Sequence, residues 1–391
     1  MKVVDLRNVF ASCNDQLIEI SDHLIYYAEE KTEEGHNSLF LLEYNRVTRR
    51  ERILANYILD KPSLTQHYFS FPNEIIVVLE DGGGKIEILR IDKLTGEETS
   101  CVVLSLVGSF SECAALDEGR VVIYTTEDDA HTELFAAYRQ LTGYQRVALL
   151  FDLDEEAYYY IRDPRICAAS ACELISYDLD GERQLLVLQP HGDEREKYKC
   201  YRNMRWLGEH VNDNVWLCPL FDFVVSIKAG EARAPMELIL SAGTSGLVRY
   251  AGMNDEDLYF RVKHFPSNDQ RLCAVSKRTG KRRIVAQLNL EEDEPDAFFC
   301  IDTEDGRAYK ISDCGDCIEA DGVLNSGLQV QYSKELGDFI TCVEDRFIIA
   351  KYILADDMDS FTFYSIYDCF TQKQLSFECA CEVKSGTVVL Y

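Results

Sequence analysis

A short turn that ends in Thr-Gly recurs along the chain between two apolar strands, and this repeat limits the possible folds more than any other feature. The flanking strands are runs of Val, Ile, Leu, Tyr and Phe, as in Glu74–Leu79 and Arg120–Tyr124. Short apolar runs separated by turn residues are typical of an all-β protein. The clearest copies of the repeat are 89–97, 137–144 and 274–281, and weaker copies are 43–49, 176–181 and 366–371.

The spacing of these copies gives the size of the repeating unit. The key turn positions are 48, 95, 142, 180, 279 and 371, and the gaps between them are 47, 47, 38, 99 and 92 residues. Because the last two gaps are close to twice the others, we expect one further turn in each, at 228–231 and at 325–327. The chain then divides into eight units of about 46 residues.

Each unit has room for four antiparallel strands. We predict strands at 66–72, 74–80, 84–92 and 97–105 in the second unit, and at 247–252, 257–263, 270–277 and 281–288 in the sixth. A repeat of this length with four strands is typical of a β-propeller blade. Blades add one interface at a time, so a chain of 391 residues can bury its apolar surface without one oversized core.

The predicted fold is therefore an all-β β-propeller of four-stranded antiparallel blades, which forms a single domain over residues 1–391. We expect eight blades; the alternative is seven blades plus an inserted hairpin at 295–334, the least regular unit. Closure is expected to pair Val3–Leu6 with the last blade or Thr387–Leu390 with the first, since either pairing hides a sheet edge. The blade boundaries are roughly 15–57, 64–105, 110–152, 156–190, 198–242, 246–290, 295–334 and 337–391.

The strand–Asp-x-x-Thr-Gly–strand copies resemble the repeats of quinoprotein-like and related bacterial β-propellers. The likeness covers most of the chain and implies the architecture. It implies no cofactor site, because the repeated Trp of quinoprotein blades is absent and the chain has only Trp206 and Trp216. The Gly-His and Trp-Asp pairs of WD40 blades are also missing.

Charge excludes several kinds of partner. The chain has 40 Lys and Arg against 68 Asp and Glu, a formal charge of −28, which repels phosphate backbones and anionic membrane surfaces. We therefore expect no nucleic-acid and no membrane partner.

The N-terminal residues have no apolar signal core, and no stretch is long and apolar enough to span a bilayer. Fifteen scattered cysteines, an odd number, favour reduced buried thiols, a cytoplasmic location and a monomer.

Three groups of residues suggest metal or redox chemistry. Cys314 and Cys317 form a CxxC pair, and Cys379 and Cys381 form a second close pair, which predicts a shared strand face rather than a zinc site. None of the acidic runs fits the calcium-loop pattern. We therefore expect no metal and no cofactor. The acidic runs are 291–296, 302–306 and 356–359.

Catalytic motifs are absent from the sequence. The histidines show no repeating position from blade to blade, and Gly243-Thr244-Ser245-Gly246 lacks the spacing of a nucleophile elbow. We therefore predict no catalytic residues and regard an enzyme as improbable. The seven histidines are His23, His36, His67, His131, His191, His210 and His264.

One segment stands out as a candidate binding surface. Residues 189–216 are the least blade-like part of the chain and contain Arg202, Arg205 and Trp206, residue types that anchor protein interfaces. The predicted function is a non-enzymatic cytosolic scaffold that binds a protein or peptide with a basic patch. The alternative is a propeller enzyme, or a binder of a small carbohydrate-like ligand, that uses the central channel.

Overall fold

The structure is a computed structural model, and it divides the chain into two compact units. The N-terminal unit comprises Ala11–Gln189 and Trp216–Glu237, and the C-terminal unit comprises Met1–Phe10, Pro190–Val215 and Leu238–Tyr391. Strands are numbered β1–β31 and helices α1–α3 along the chain. The described residues are 2–7, 16–33, 36–59, 65–80, 84–144, 146–190, 212–243, 246–264, 269–288, 298–302, 307–313, 317–322, 329–333, 338–343, 347–356, 359–368, 370–371, 373–377, 379, 381–384 and 386–390.

The N-terminal unit contains three four-stranded antiparallel blades, and the strands of each blade follow one another in chain order. The first blade is β2 (Gln16–Ile20), β3 (Leu24–Glu33), β4 (His36–Asn45) and β5 (Arg50–Leu59). The second is β6 (Thr65–Ser70), β7 (Glu74–Glu80), β8 (Lys85–Asp92) and β9 (Glu98–Ser105). The third is β10 (Ser109–Asp117), β11 (Arg120–Thr126), β12 (Arg146–Asp152) and β13 (Ala157–Ile161).

Helices interrupt this pattern after the third blade begins. They are α1 (Thr132–Thr142), α2 (Pro164–Ala168) and α3 (Leu220–Lys228). A 3₁₀ turn at Ala171–Glu173 follows α2 in the chain. An antiparallel strand pair, β14 (Leu174–Leu179) and β15 (Glu182–Pro190), follows α2 in the chain. None of the described helices has the length and apolar character needed to cross a membrane.

The C-terminal unit also contains three runs of four consecutive antiparallel strands. The first is β18 (Gly246–Met253), β19 (Asp257–His264), β20 (Gln270–Ser276) and β21 (Arg282–Leu288), and Asn212 of β16 (Asn212–Pro219) pairs with Val248. The second is β22 (Phe298–Asp302), β23 (Arg307–Asp313), β24 (Cys317–Gly322) and β25 (Gln329–Ser333). The third is β26 (Asp338–Val343), β27 (Phe347–Asp356), β28 (Asp359–Asp368) and β29 (Lys373–Phe377). One further strand, β17 (Glu237–Ser241), pairs with β16.

The two chain ends meet in a small sheet, as expected. β1 (Lys2–Asp5) pairs parallel with β31 (Thr387–Leu390), which pairs antiparallel with β30 (Cys381–Lys384). The Leu6 N–H donates to the Leu390 carbonyl at 2.7 Å, and Val388 and Val389 are fully buried. The pairing thus covers an edge of β31 that would otherwise be open.

The chain is an all-β β-propeller with four-stranded antiparallel blades, which confirms the predicted fold class. The described residues form six such blades, so the expected eight blades, and the alternative of seven, were wrong. The units predicted at 156–190 and 198–242 account for much of the difference. Their described residues supply the helices α2 and α3 and the strands β14–β17, in which β14, β15 and β16 are neighbours, β17 pairs with β16, and β16 also pairs with β18, so they do not form two separate four-stranded blades.

The predicted turns were right where strands flank them. Asp92 Oδ1 accepts from the N–H groups of Leu94 (2.9 Å) and Thr95 (2.7 Å), and Gly96 has a φ of 76°. The turn at 276–281 has the same form, with Gly280 at a φ of 64°. In these turns the side chain fixes the first bend and glycine supplies the left-handed residue that most residues avoid.

Two predicted hairpins are helix ends. The copy at 137–144 belongs to α1, where Gly143 caps the C-terminus at a φ of 87° and its N–H donates to the Arg139 carbonyl. The turn expected at 228–231 is the end of α3, with Gly230 at a φ of 73°. The third expected turn, 325–327, lies outside the described residues. Left-handed glycine ends helices as readily as it closes hairpins.

The core of the N-terminal unit lies between neighbouring blades. Alternate residues of β7 face opposite sides of the second blade, as strand geometry requires. Ile75 and Val77 pack with side chains of the first blade, and Ile76 and Val78 pack with those of the third. A third cluster, which includes Phe135 and Phe223, joins the third blade to the helices.

Candidate functional site

Helix α3 presents two large apolar side chains to solvent. Leu220, Phe223, Val224 and Ile227 are buried in the core cluster of the N-terminal unit, at the spacing of one helix face. On the other side, Phe221 is 72% exposed and Val225 is 50% exposed. Residues four apart lie next to each other on a helix, so these two side chains form one apolar patch. We call Phe221 and Val225 the α3 patch.

An ion pair fixes the C-terminal end of α3 to the third blade. Lys228 Nζ lies 2.7 Å from Asp152 Oδ2 and 2.9 Å from Glu155 Oε1, and it sits 5.5 Å from the ring centre of Tyr159. Burial acts to raise the pKa of Asp152, but hydrogen bonds from Lys228 and the Glu155 N–H, with the charges of Lys228 and Arg120, hold it below its usual value. The carboxylate is therefore ionised and keeps the lysine in place.

A half-buried arginine, Arg165, holds the chain on both sides of α3. Arg165 makes a two-point contact with the fully buried Asp163, with Nη2–Oδ2 at 2.6 Å and Nε–Oδ1 at 3.0 Å. Its guanidinium stacks 4.7 Å above the ring of Trp216, which precedes α3. It also donates to the carbonyl of Ala234, which follows α3, while the Ala234 N–H donates to Asp163 at 2.8 Å. The α3 patch thus rests on a rigid base.

Exposed carboxylates lie on α3 and next to its C-terminal end. Asp222 lies between the two residues of the α3 patch in the chain and is exposed, and Glu155 and Glu156 are exposed beside the ion pair at the end of the helix. A large exposed aromatic side chain with a charged surround is the usual anatomy of a protein-binding centre and its rim. The arrangement can bind an apolar side chain and attract cations around it.

The first strand of the second blade holds a histidine with a buried ring nitrogen. His67 on β6 lies 5.3 Å from the ring of Phe110 on β10, and its Nε2 is buried with no hydrogen-bond partner among the described residues. Burial lowers the pKa of His67, with an opposing effect of Glu112.

The strongest polar cluster near these strands is structural. Arg146 donates to Glu112 Oε1 at 2.7 Å and to the carbonyls of Cys167 (2.9 Å), Ala168 (2.9 Å) and Ala169. Its guanidinium also covers the ring of Tyr124 at 4.6 Å. Four of its five N–H donors are used inside the fold, and three of these bonds anchor the end of α2 to the third blade.

The cysteines that the structure describes behave as apolar residues. Cys379 and Cys381 both pack against a cluster of Phe347, Ile366 and Val388, but Cys379 lies before β30, so the two do not share one strand as predicted. Burial raises the pKa of Cys381 to about 12, and it also raises that of Cys379. Within the described ranges, no three His, Cys, Asp or Glu side chains are placed to hold a metal ion. Cys314 lies outside the described residues.

The predicted binding residues Arg202, Arg205 and Trp206 also lie outside the described residues, so their role stays a prediction. The sequence analysis missed the α3 patch because it assigned 198–242 to a blade. The sequence did contain a helical pattern here, because Leu220, Phe223, Val224 and Ile227 follow the spacing of one helix face. Phe221 and Val225 lie outside that face, on the polar side of the helix.

Several solved structures are similar to this chain at low sequence identity. No protein-family model matches the chain, and no curated protein sequence matches it. Among solved structures, an uncharacterised protein from Listeria monocytogenes is 11% identical with a TM-score of 0.48, over 96% of this chain and 97% of that one. The β-propeller domain of the Trilobed protease from Pyrococcus furiosus is 11% identical with a TM-score of 0.43, over 94% of each chain. An oligogalacturonate lyase from Vibrio parahaemolyticus is 10% identical with a TM-score of 0.41, over 93% and 77%.

Proposed function

We propose that the protein is a non-enzymatic, cytosolic interaction scaffold that binds a protein or peptide with a basic patch, and that the α3 patch is the centre of the contact. The observation that carries this proposal is the exposure of Phe221, at 72%, on a helix whose C-terminal end is held by an ion pair and whose flanking residues Trp216 and Ala234 contact Arg165. An exposed aromatic side chain on a rigid element loses little entropy when it is buried by a partner.

Charge supports a basic partner. The chain carries −28 overall, and Asp222, Glu155 and Glu156 place carboxylates on α3 and next to its C-terminal end. Such carboxylates speed the encounter with a cationic surface and add little affinity as exposed pairs. The affinity then comes from Phe221 and Val225, and in our proposal from Trp206 with Arg202 and Arg205 of the preceding segment. The buried cysteines Cys113, Cys167 and Cys218, all unpaired, suit a reducing compartment.

The test is a quantitative comparison of captured proteins. The wild-type chain, a Phe221→Ser/Val225→Ser variant and an Ile284→Ser control are used to capture proteins from the native lysate. Ile284 is 55% exposed and lies on β21, so the control removes a similar exposed apolar side chain elsewhere. We expect at least one protein to be retained by the wild type and the control and lost from the α3 variant.

The captured protein is then purified and its binding is measured directly. The proposal requires that its association rate falls as salt rises from about 50 to 500 mM, because the Debye length shrinks from roughly 14 to 4 Å. Phe221→Ser should raise the dissociation rate, whereas Asp222→Lys should mainly lower the association rate. A partner list that is identical for all three chains, or binding that is insensitive to salt, would contradict the proposal.

A further inference from the structure

The most basic surface of the N-terminal unit is the hairpin between β4 and β5. Arg46, Arg49, Arg50 and Arg52 lie within seven consecutive residues of a chain whose net charge is −28. The β4–β5 register places Arg50 opposite Asn45 and Arg52 opposite Glu43. The arginines therefore share one end of the blade, and we call residues 46–52 the arginine hairpin.

The turn of the arginine hairpin is fixed by its own side chain. Asn45 Oδ1 accepts from the N–H groups of Val47 at 3.0 Å and Thr48 at 2.9 Å. Arg49 follows with a φ of 55°, the left-handed region that a residue with a β-carbon seldom adopts. A turn this constrained presents its arginines in a defined geometry instead of on a loose loop.

The four arginines divide into two structural and two exposed groups. Arg46 Nη1 donates to the Ser21 carbonyl at 2.7 Å, and Arg52 pairs with Glu43 at 2.9 Å. Arg49 and Arg50 are exposed, and within the described ranges no carboxylate pairs with either. Two guanidinium groups are thus available to a ligand.

Exposed aliphatic side chains lie on the same surface. Arg52 Nη1 donates to the Leu94 carbonyl at 2.7 Å, which joins the hairpin to the turn between β8 and β9. Val47 is 71% exposed and Leu94 is 82% exposed. The surface therefore combines cations with aliphatic groups that gain free energy when a partner covers them.

We propose that the arginine hairpin, with Leu94, is a docking surface for an extended acidic peptide segment in which carboxylates alternate with aliphatic side chains. Arginine forks bind carboxylates with two hydrogen bonds, and the aliphatic residues of the segment cover Val47 and Leu94. A nucleic acid or an anionic membrane is a poorer match, because it offers no aliphatic side chains spaced to cover Val47 and Leu94 between its charges. This surface is separate from the α3 patch and does not depend on the proposed function.

The experiment measures the affinity of a fluorescent peptide of alternating Glu and Leu residues for the full chain by anisotropy. We expect binding to weaken as salt rises and to weaken by about tenfold or more in Arg49→Glu/Arg50→Glu, since two attractions become two repulsions. Val47→Ser/Leu94→Ser should also weaken binding. The matched controls are Arg233→Glu, another exposed arginine of the same unit, and Ile58→Ser, 73% exposed at the far end of β5.

Both controls should bind the peptide as the wild type does, and their circular dichroism should match it. A peptide with Gln in place of Glu should bind at least about tenfold more weakly. Equal binding of the Gln peptide, or equal loss in the Arg233→Glu control, would overturn the proposal. So would capture of single-stranded RNA or anionic vesicles by the arginine hairpin with no binding of the acidic peptide.

Discussion

Two glycines in equivalent hairpins provide a matched pair for testing how blades pack. Gly96 closes the turn between β8 and β9 at a φ of 76°, and Gly280 closes the turn between β20 and β21 at a φ of 64°. A β-carbon on Gly96 would lie 2.4 Å from the carbonyl oxygen of Leu54, in the first blade. A β-carbon on Gly280 would meet nothing within 4 Å.

The expected cost of alanine therefore differs between the two positions. Both substitutions carry the left-handed strain of about 1–2 kcal/mol, and both gain about 0.4–1 kcal/mol from the stiffer unfolded chain, which cancels in the comparison. At Gly96 the turn must also move away from Leu54. That movement weakens the bonds of Arg52 to the Lys93 and Leu94 carbonyls, which contribute about 0.5–1.5 kcal/mol each. Gly96→Ala should therefore destabilise its unit by about 2 kcal/mol more than Gly280→Ala destabilises its own.

The assay is native-state hydrogen exchange, because a chain with two compact units need not unfold in one step. Amides of β7 and β8 report on Gly96→Ala, and amides of β19 and β20 report on Gly280→Ala. Equal losses of protection in the two variants, or a greater loss in Gly280→Ala, would refute the contact between the first two blades. Circular dichroism of both variants checks that each is folded.

Three further predictions follow from charge and thiol chemistry. Lys228→Met should destabilise the N-terminal unit by about 2 kcal/mol in urea unfolding. The loss is smaller than for a fully buried pair because Arg120 Nε stays 3.8 Å from Asp152. Because the pKa of Asp152 is lowered, this contribution is present above pH 3.8 and is lost as the pH falls through the lowered value. Because burial lowers the pKa of His67, stability should decrease as the pH falls below 6.5, and His67→Gln should remove that part of the pH dependence in thermal unfolding. Denatured, non-reduced protein should titrate close to fifteen thiols, and a loss of four or more would indicate disulfides.

The strands were predictable from the sequence because their period is local. The four strands predicted in the second unit, 66–72 to 97–105, match β6–β9 to within one or two residues, since alternating burial and a turn with a fixed chemistry define each boundary. The same holds for β18–β21. The parallel pairing of β1 with β31 was also foreseeable, because an open propeller edge is costly.

The helices were missed because their end signal is shared with hairpins. Thr142-Gly143 has the same sequence as Thr95-Gly96, but the first pair ends a helix and the second lies in a turn between strands. Only the spacing of the buried residues Phe135 and Tyr138, three apart in α1, indicates the helix. The candidate site depended on this distinction, because α3 carries the α3 patch. Once α3 is assigned as a helix, its spacing separates the exposed Phe221 from the buried Phe223, but residue type alone does not, because both are phenylalanine.

The most direct test of the central claim is photo-cross-linking from the α3 patch. Benzoylphenylalanine is introduced at position 221, and for comparison at position 58, in the cells that produce the protein. We predict a discrete protein adduct from position 221 that is absent from position 58 and is reduced by Val225→Ser in the same chain. The adduct should form less readily when Asp222 is replaced by Lys, since the partner is basic. No adduct at position 221, or the same adducts from both positions, would contradict binding through the α3 patch.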